Sequence, residues 1–195
     1  MAEILASTLL QTTWIEALAV IFGIVYVILA AYQNNWCWLA AIINVSLYIY
    51  ICYTAKLYSE TGLQVFYLAT AFYGWWQWTK KSTENKSIVI TTLDLKKHAL
   101  TILLGISITL PFYFITKNYT DAALPFSDAL VTAFSLIATF MVTKKILENW
   151  IYWIFVDVIS CYLYAVQGLA FVSLLYIIYC IIAIFGFCTW YQKKI

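Results

Sequence analysis

Charge is what this chain has least of. Only 10% of its 195 residues are Asp, Glu, Lys or Arg, where a soluble domain carries about 25%. With 65% hydrophobic residues, a soluble core could not hide the apolar surface, and lipid is the expected solvent. Arginine is absent, so an acid inside a span finds no guanidinium to pair with. There is a single histidine, His98, and no His/Cys/Asp cluster with metal-ligand spacing. None of the five cysteines, Cys37, Cys52, Cys161, Cys180 and Cys188, forms a C-x-x-C pair, and all are expected to be small buried hydrophobes. No G-x-x-x-x-G-K-[ST] is present, which excludes an ATP-driven pump for this chain alone. No Ser–Lys pair lies at depth, so no enzymatic role is expected. The N-terminal stretch lacks a basic region and carries Glu3, which argues against a cleaved signal peptide. The net charge of +2 is too small to suggest nucleic acid.

Aromatic residues are abundant instead. They make up 19% of the chain, with 9 Trp and 16 Tyr. That exceeds the need of interface belts, so some rings are expected along an interior path. Seven segments can span a bilayer, at roughly 14–33, 36–53, 61–79, 98–116, 127–144, 149–167 and 170–190. Links of a few residues join helices one and two, five and six, and six and seven, and force antiparallel neighbours. The polar stretch Lys80 to Lys97 reads as a loop with a short extended piece at SIVITT. A second polar link, Lys117 to Phe126, ends before Ser127 and Asp128, either of which could cap helix five.

Cytoplasmic loops retain positive charge. Lys80, Lys81, Lys86, Lys96, Lys97, Lys144, Lys145, Lys193 and Lys194 fall on one side, against Lys56 and Lys117 on the other. The N-terminus is therefore expected outside and the C-terminus inside.

The chain also repeats itself. Asn35-Trp36 recurs as Asn149-Trp150, 114 residues later, and SLYIY at 46–50 recurs as SCYLY at 160–164. Gly74-x-x-x-Trp78 recurs as Gly186-x-x-x-Trp190, 112 residues later. Both motifs precede paired lysines. The expected architecture is one all-α membrane domain over 1–195. It has a three-helix repeat at 14–79, a connector at 98–116 and a second repeat at 127–190. One odd connecting helix makes the repeats parallel, the SWEET-like arrangement.

Read as a helix, Trp150, Trp153, Asp157, Ser160 and Tyr164 share one face. An acid in hydrocarbon costs several kcal/mol unless it faces a cavity or a partner. That stripe is expected to line the site of a membrane transporter for a small aromatic cation. Gln64, Tyr67, Ala71, Trp75 and Trp78 form a second stripe on helix three. Trp faces attract cations. Asn44 lies mid-helix in helix two, facing Asp157 if the repeats pack about a common axis; interhelical bonding is an equal reading for it. Gln77 and Gln167 sit at helix ends and read as interface residues. Glu16 reads as a first-turn acid favoured by the helix dipole, and His98 as a solvated residue at the cytoplasmic edge of helix four.

The stretches WIEALAVIFGIVYV at 14–27, INVSLYIYICYTAKLYSETGLQVFYLATAFYGWWQW at 43–78 and TKKILENWIYWIFVDVISCYLYAVQGL at 143–169 resemble the PnuC family of vitamin transporters. The resemblance implies seven helices in a three-plus-one-plus-three plan in a bacterial cytoplasmic membrane, with the N-terminus outside, commonly as a homotrimer. It implies uptake of nicotinamide riboside by facilitated diffusion with phosphorylation trapping in the cytoplasm, and no cofactor. A similar branch, PnuT, carries thiamine. Carried onto matching positions, the implied site is Asn44, Gln64, Trp153 and Asp157, with Tyr67, Trp75 and Trp150 as weaker members. Many relatives carry Asn where this chain has Asp157.

Overall fold

Apolar runs of the length seen here have one way to satisfy their backbone in lipid, which is to form helices. The computed structural model describes residues 13–54, 56, 58–80, 89–120 and 124–194. Glu3, Lys81, Lys86 and the first two residues of SIVITT lie outside the described residues. Among the described residues there are seven helices: α1 (Trp14–Ala31), α2 (Cys37–Thr54), α3 (Tyr58–Thr79), α4 (Leu95–Tyr119), α5 (Pro125–Thr143), α6 (Asn149–Val166) and α7 (Ala170–Gln192). Six are long and apolar enough to cross a membrane. The exception to the seven expected spans is α3. Glu60, Gln64, Gln77 and three Thr dilute its hydropathy, although its 22 residues would reach about 33 Å.

Local sequence sets the helix starts. Thr13 caps α1, accepting from the Glu16 amide at 3.3 Å, while the Glu16 carboxylate accepts from the Thr13 amide at 2.7 Å. Glu16 is thus half of a capping box. Asp94 caps α4, with the Lys97 amide donating to its carboxylate at 2.8 Å. That cap starts α4 at Leu95, three residues before the expected 98. Neither Ser127 nor Asp128 caps α5. Pro125, whose fixed φ suits the first helical turn, takes the start, and Leu124 sits at the cap without a side-chain bond. Ser127 and Asp128 fall inside the first turn.

The chain divides into two compact units, Met1–Val89 and Ile90–Ile195. In the first, α2 packs against both α1 and α3; in the second, α6 packs against both α5 and α7, and α4 packs against α5. The middle helix of each triple is therefore the one that packs against both of the others. The extended piece is real at Thr91. Its amide donates to the Lys145 carbonyl at 3.1 Å, and its carbonyl accepts from Leu147 at 2.9 Å. The Glu148 carboxylate then accepts from the Leu93 amide at 3.1 Å.

The helix bounds of the two triples recur at an offset of about 112, the offset of the G-x-x-x-W motifs, rather than at the 114 of Asn35-Trp36 and SLYIY. Cys37 and Asn149 begin the middle helices, and Thr54 and Val166 end them. The positive-φ residues Gln33 and Lys145 match at that offset, as do Lys56 and Gly168. Trp38 corresponds to Trp150, each leaning on the glycine and the closing Trp of a G-x-x-x-W motif. Two residues of similar Trp-rich sequence disguised the register. In the corrected register Asp157 corresponds to Val45, and Asn44 to Val156.

Candidate substrate site

Four of the seven expected site residues sit in the first unit and three in the second. In the first, Asn44 is half-buried and donates its amide to the Ala19 carbonyl of α1 at 2.6 Å. That donor ties α2 to α1, which is the interhelical reading of this residue. Gln64, Tyr67 and Trp75 are half-buried on one face of α3, with Ala71 and Trp78 of the same stripe buried. Trp75 meets Trp36 edge-on at 5.9 Å, and Trp78 meets Trp38 edge-on at 5.3 Å. The stripe therefore faces inward, as its period of 3 and 4 requires.

In the second unit the α6 stripe is also turned inward. Trp150, Asp157 and Ser160 are buried, and Trp153 and Tyr164 are half-buried. Trp150 meets Trp190 of α7 at 5.5 Å and 89°, and Tyr164 stacks on Tyr176 at 5.3 Å. Trp153 packs against the core cluster of Phe134, Ile137, Ala138, Met141, Tyr152 and Val156. Asp157 is only 3% exposed, and among the described residues no hydrogen bond or ion pair reaches its carboxylate. An ionised carboxylate so placed carries a desolvation penalty of several kcal/mol. A cationic guest held by the acid and by an indole face would offset it.

His98 is half-buried, not solvated: its ring stacks on Tyr152 at 6.3 Å, with Nδ1 3.5 Å from the hydroxyl. The two residues lie 54 positions apart, on α4 and α6, and no local pattern signals the contact. Cys37 and Cys52 are buried as expected, but Cys161 and Cys180 are half-buried and Cys188 is exposed on α7. A helix in lipid can expose an apolar thiol without cost. What sequence reasoning passed over is the partner of each motif glycine, Trp38 for Gly74 and Trp150 for Gly186. The spacing G-x-x-x-W was visible, but not that a third residue, 36 positions earlier, fills the glycine notch.

The model of the family described as nicotinamide mononucleotide transporter matches residues 13–192. The chain belongs to the nicotinamide mononucleotide transporter family. It is 30% identical over 203 aligned residues to the nicotinamide riboside transporter PnuC of Escherichia coli, covering 91% of this chain and 85% of that protein. It is 26% identical to PnuC of Neisseria mucosa, over 91% and 72%. A riboflavin/roseoflavin transporter, RibM of Streptomyces davaonensis, is 24% identical over 93% and 86%. The crystal structure of the vitamin B3 transporter PnuC shares the fold, with a TM-score of 0.77 at 23% identity, over 98% of this chain and 86% of that one. The PnuC resemblance drawn from the motifs is therefore borne out. As a member of this family with six apolar helices, the chain is a multi-pass membrane protein.

Proposed function

We propose that this family member imports nicotinamide riboside across the cytoplasmic membrane by facilitated diffusion. The observation that carries this reading is Asp157, a buried acid without a partner among the described residues, on a face shared with Trp153. An aromatic cation satisfies both groups. The nicotinamide riboside transporters among its relatives supply the particular cation.

The same acid disfavours the phosphorylated form. A phosphate adds nearly two negative charges, and the chain has no arginine to receive them. Phosphorylation in the cytoplasm would then trap the imported riboside. Thiamine, also an aromatic cation, is the second reading that Asp157 favours.

The architecture belongs to the same proposal. All seven helices span the bilayer, α3 included, as two parallel three-helix repeats joined by α4 in one SWEET-like membrane domain. The recurrence of both Trp–Gly contacts at one offset supports this. The lysine distribution puts the N-terminus outside and the C-terminus in the cytoplasm. The assembly is a homotrimer, as the PnuC resemblance implies, and no cofactor takes part. The candidate substrate contacts are Asn44, Gln64, Tyr67 and Trp75 in the first unit and Trp150, Trp153 and Asp157 in the second, with Trp153 and Asp157 foremost.

The test is uptake by empty liposomes carrying only this protein. Nicotinamide riboside is expected to equilibrate, unaffected by collapse of a proton gradient, while nicotinamide mononucleotide stays outside. Flux of thiamine without flux of nicotinamide riboside would transfer the assignment to the second reading.

A further inference from the structure

Hydroxyls inside helices normally return their proton to the carbonyl one turn back. In this chain Ser46 donates to Ile42 at 2.7 Å and Ser107 to Leu103 at 2.8 Å. Two buried hydroxyls do so too, with Thr109 donating to Gly105 and Thr139 to Ser135, both at 2.8 Å, and the buried Ser173 instead donates across to the Cys161 carbonyl at 3.0 Å. Ser160 does neither. It is 1% exposed, and its Oγ is buried without a hydrogen-bond partner.

Leaving a buried hydroxyl unsatisfied is costly, and the back-bond that would satisfy it is available on the same helix. The exception coincides with the unpartnered carboxylate. Ser160 stands three residues after Asp157, so both project from one face of α6 about one turn apart. A second buried orphan, the Trp150 Nε1, has a different explanation. Trp38 Nε1 repeats it at the corresponding position, so it belongs to the Trp–Gly packing of both triples. Ser160 has no such twin, since Tyr48 holds its place in the first triple.

We infer that Ser160 is a specificity-determining residue that pairs with Asp157 to read a hydroxyl group on the cationic guest. A carboxylate only accepts, whereas a serine hydroxyl donates and accepts. Together they match a guest with adjacent hydroxyls, as a ribosyl group has, and match thiamine's ring system poorly. The inference rests on the nicotinamide riboside reading and adds which residue recognises the sugar.

The experiment is a binding cycle read by Trp fluorescence. It uses wild type, Ser160→Ala and Ser160→Cys against nicotinamide riboside and its 2′-, 3′- and 5′-deoxy analogues. Loss of one hydrogen bond is expected to weaken riboside binding by about tenfold in Ser160→Ala. One deoxy analogue should weaken wild-type binding by a similar factor and weaken the variant no further, the non-additivity that marks a direct pair. Ser160→Cys keeps the volume and loses most of the hydrogen bond, so it should behave like Ser160→Ala. It also runs the cycle by itself if the alanine variant fails to fold. Unchanged riboside affinity in Ser160→Ala, full recovery in Ser160→Cys, or losses that multiply for all three analogues would overturn the inference. A wild type that binds thiamine but not nicotinamide riboside overturns the functional reading, and the inference with it.

Discussion

The indole of Trp150 on α6 lies across the backbone of Gly186 on α7. A Cβ added at Gly186 would stand 2.7 Å from Cζ2 and 2.8 Å from Cδ2 and Cε2 of that ring. Three ring atoms at nearly one distance mean that the face of the indole, not its edge, covers the glycine. Trp38 covers Gly74 in the same way, more closely still. Each ring is then closed from the side by Trp190 or Trp78, edge-on. The notch lets α6 and α7 approach closely and anchors the helix that carries Asp157.

Filling the notch should therefore loosen the site's scaffold. Gly186→Ala forces the indole to shift and is expected to cost about 1–3 kcal/mol, as overpacking does. Thermal unfolding in detergent measures it. Trp150→Leu in the Gly186→Ala background should recover part of the loss, and strictly additive losses would show that ring and glycine do not interact. Gly74→Ala with Trp38→Leu should repeat the pattern.

Asp157 provides the functional test. Asp157→Ala is expected to abolish nicotinamide riboside uptake into liposomes while the protein still inserts and unfolds cooperatively. Asp157→Asn keeps a hydrogen bond and loses the charge. It should weaken the cation by about tenfold to a hundredfold, the worth of a charge-assisted bond. Wild-type flux through the alanine variant would remove Asp157 from the path.

Lys56 and Gly168 occupy matching turns, both with positive φ, at 59° and 77°. A side chain in that region costs roughly 1–2 kcal/mol, and glycine's extra entropy returns part of the difference. Lys56→Gly is expected to stabilise the protein by up to about 1 kcal/mol, because the exposed Lys56 side chain has little packing to lose. Gly168→Ala should destabilise it. A lower melting temperature for Lys56→Gly would contradict this reading of the turn.

The cap of α4 gives a pH dependence with a definite sign. The backbone N–H of Lys97, followed by the Lys97 ammonium, holds the Asp94 carboxyl below its ordinary value. That value is about 3.9. A lowered value in the folded state means the cap contributes fully above that pH and is lost as pH falls through the depressed value. Amide exchange at Lys97, corrected for intrinsic rate, should accelerate over that acid range. Asp94→Asn should flatten the dependence, since its amide oxygen still accepts from the same N–H.

Much of the fold was legible along the chain because in lipid hydropathy and helix formation coincide. The starts and ends of α2, α6 and α7 fall within a few residues of the apolar runs that foretold them. The inward turn of the two stripes was also legible, since a helix places residues 3 and 4 apart on one face whatever surrounds it. Capping was harder. Pro125 outranked Ser127 and Asp128 at α5 because a ring that already holds the helical φ sets the start without any side-chain bond.

What the sequence by itself determined was composition-deep: a lipid-embedded chain of apolar helices, an acid in an apolar helix with no arginine to meet it, and motifs that recur in its two halves. The register between those halves was decided only in three dimensions. Trp36 and Trp38 are near-equivalent in any linear comparison, but only Trp38 has a glycine opposite it. The partners of His98 and Asn44 were decided the same way, by residues 54 and 25 positions away. Ser160 makes the distinction sharpest. Its place on the helix follows from spacing, while the hydroxyl left off its own helix's carbonyl is a property of the packed structure alone.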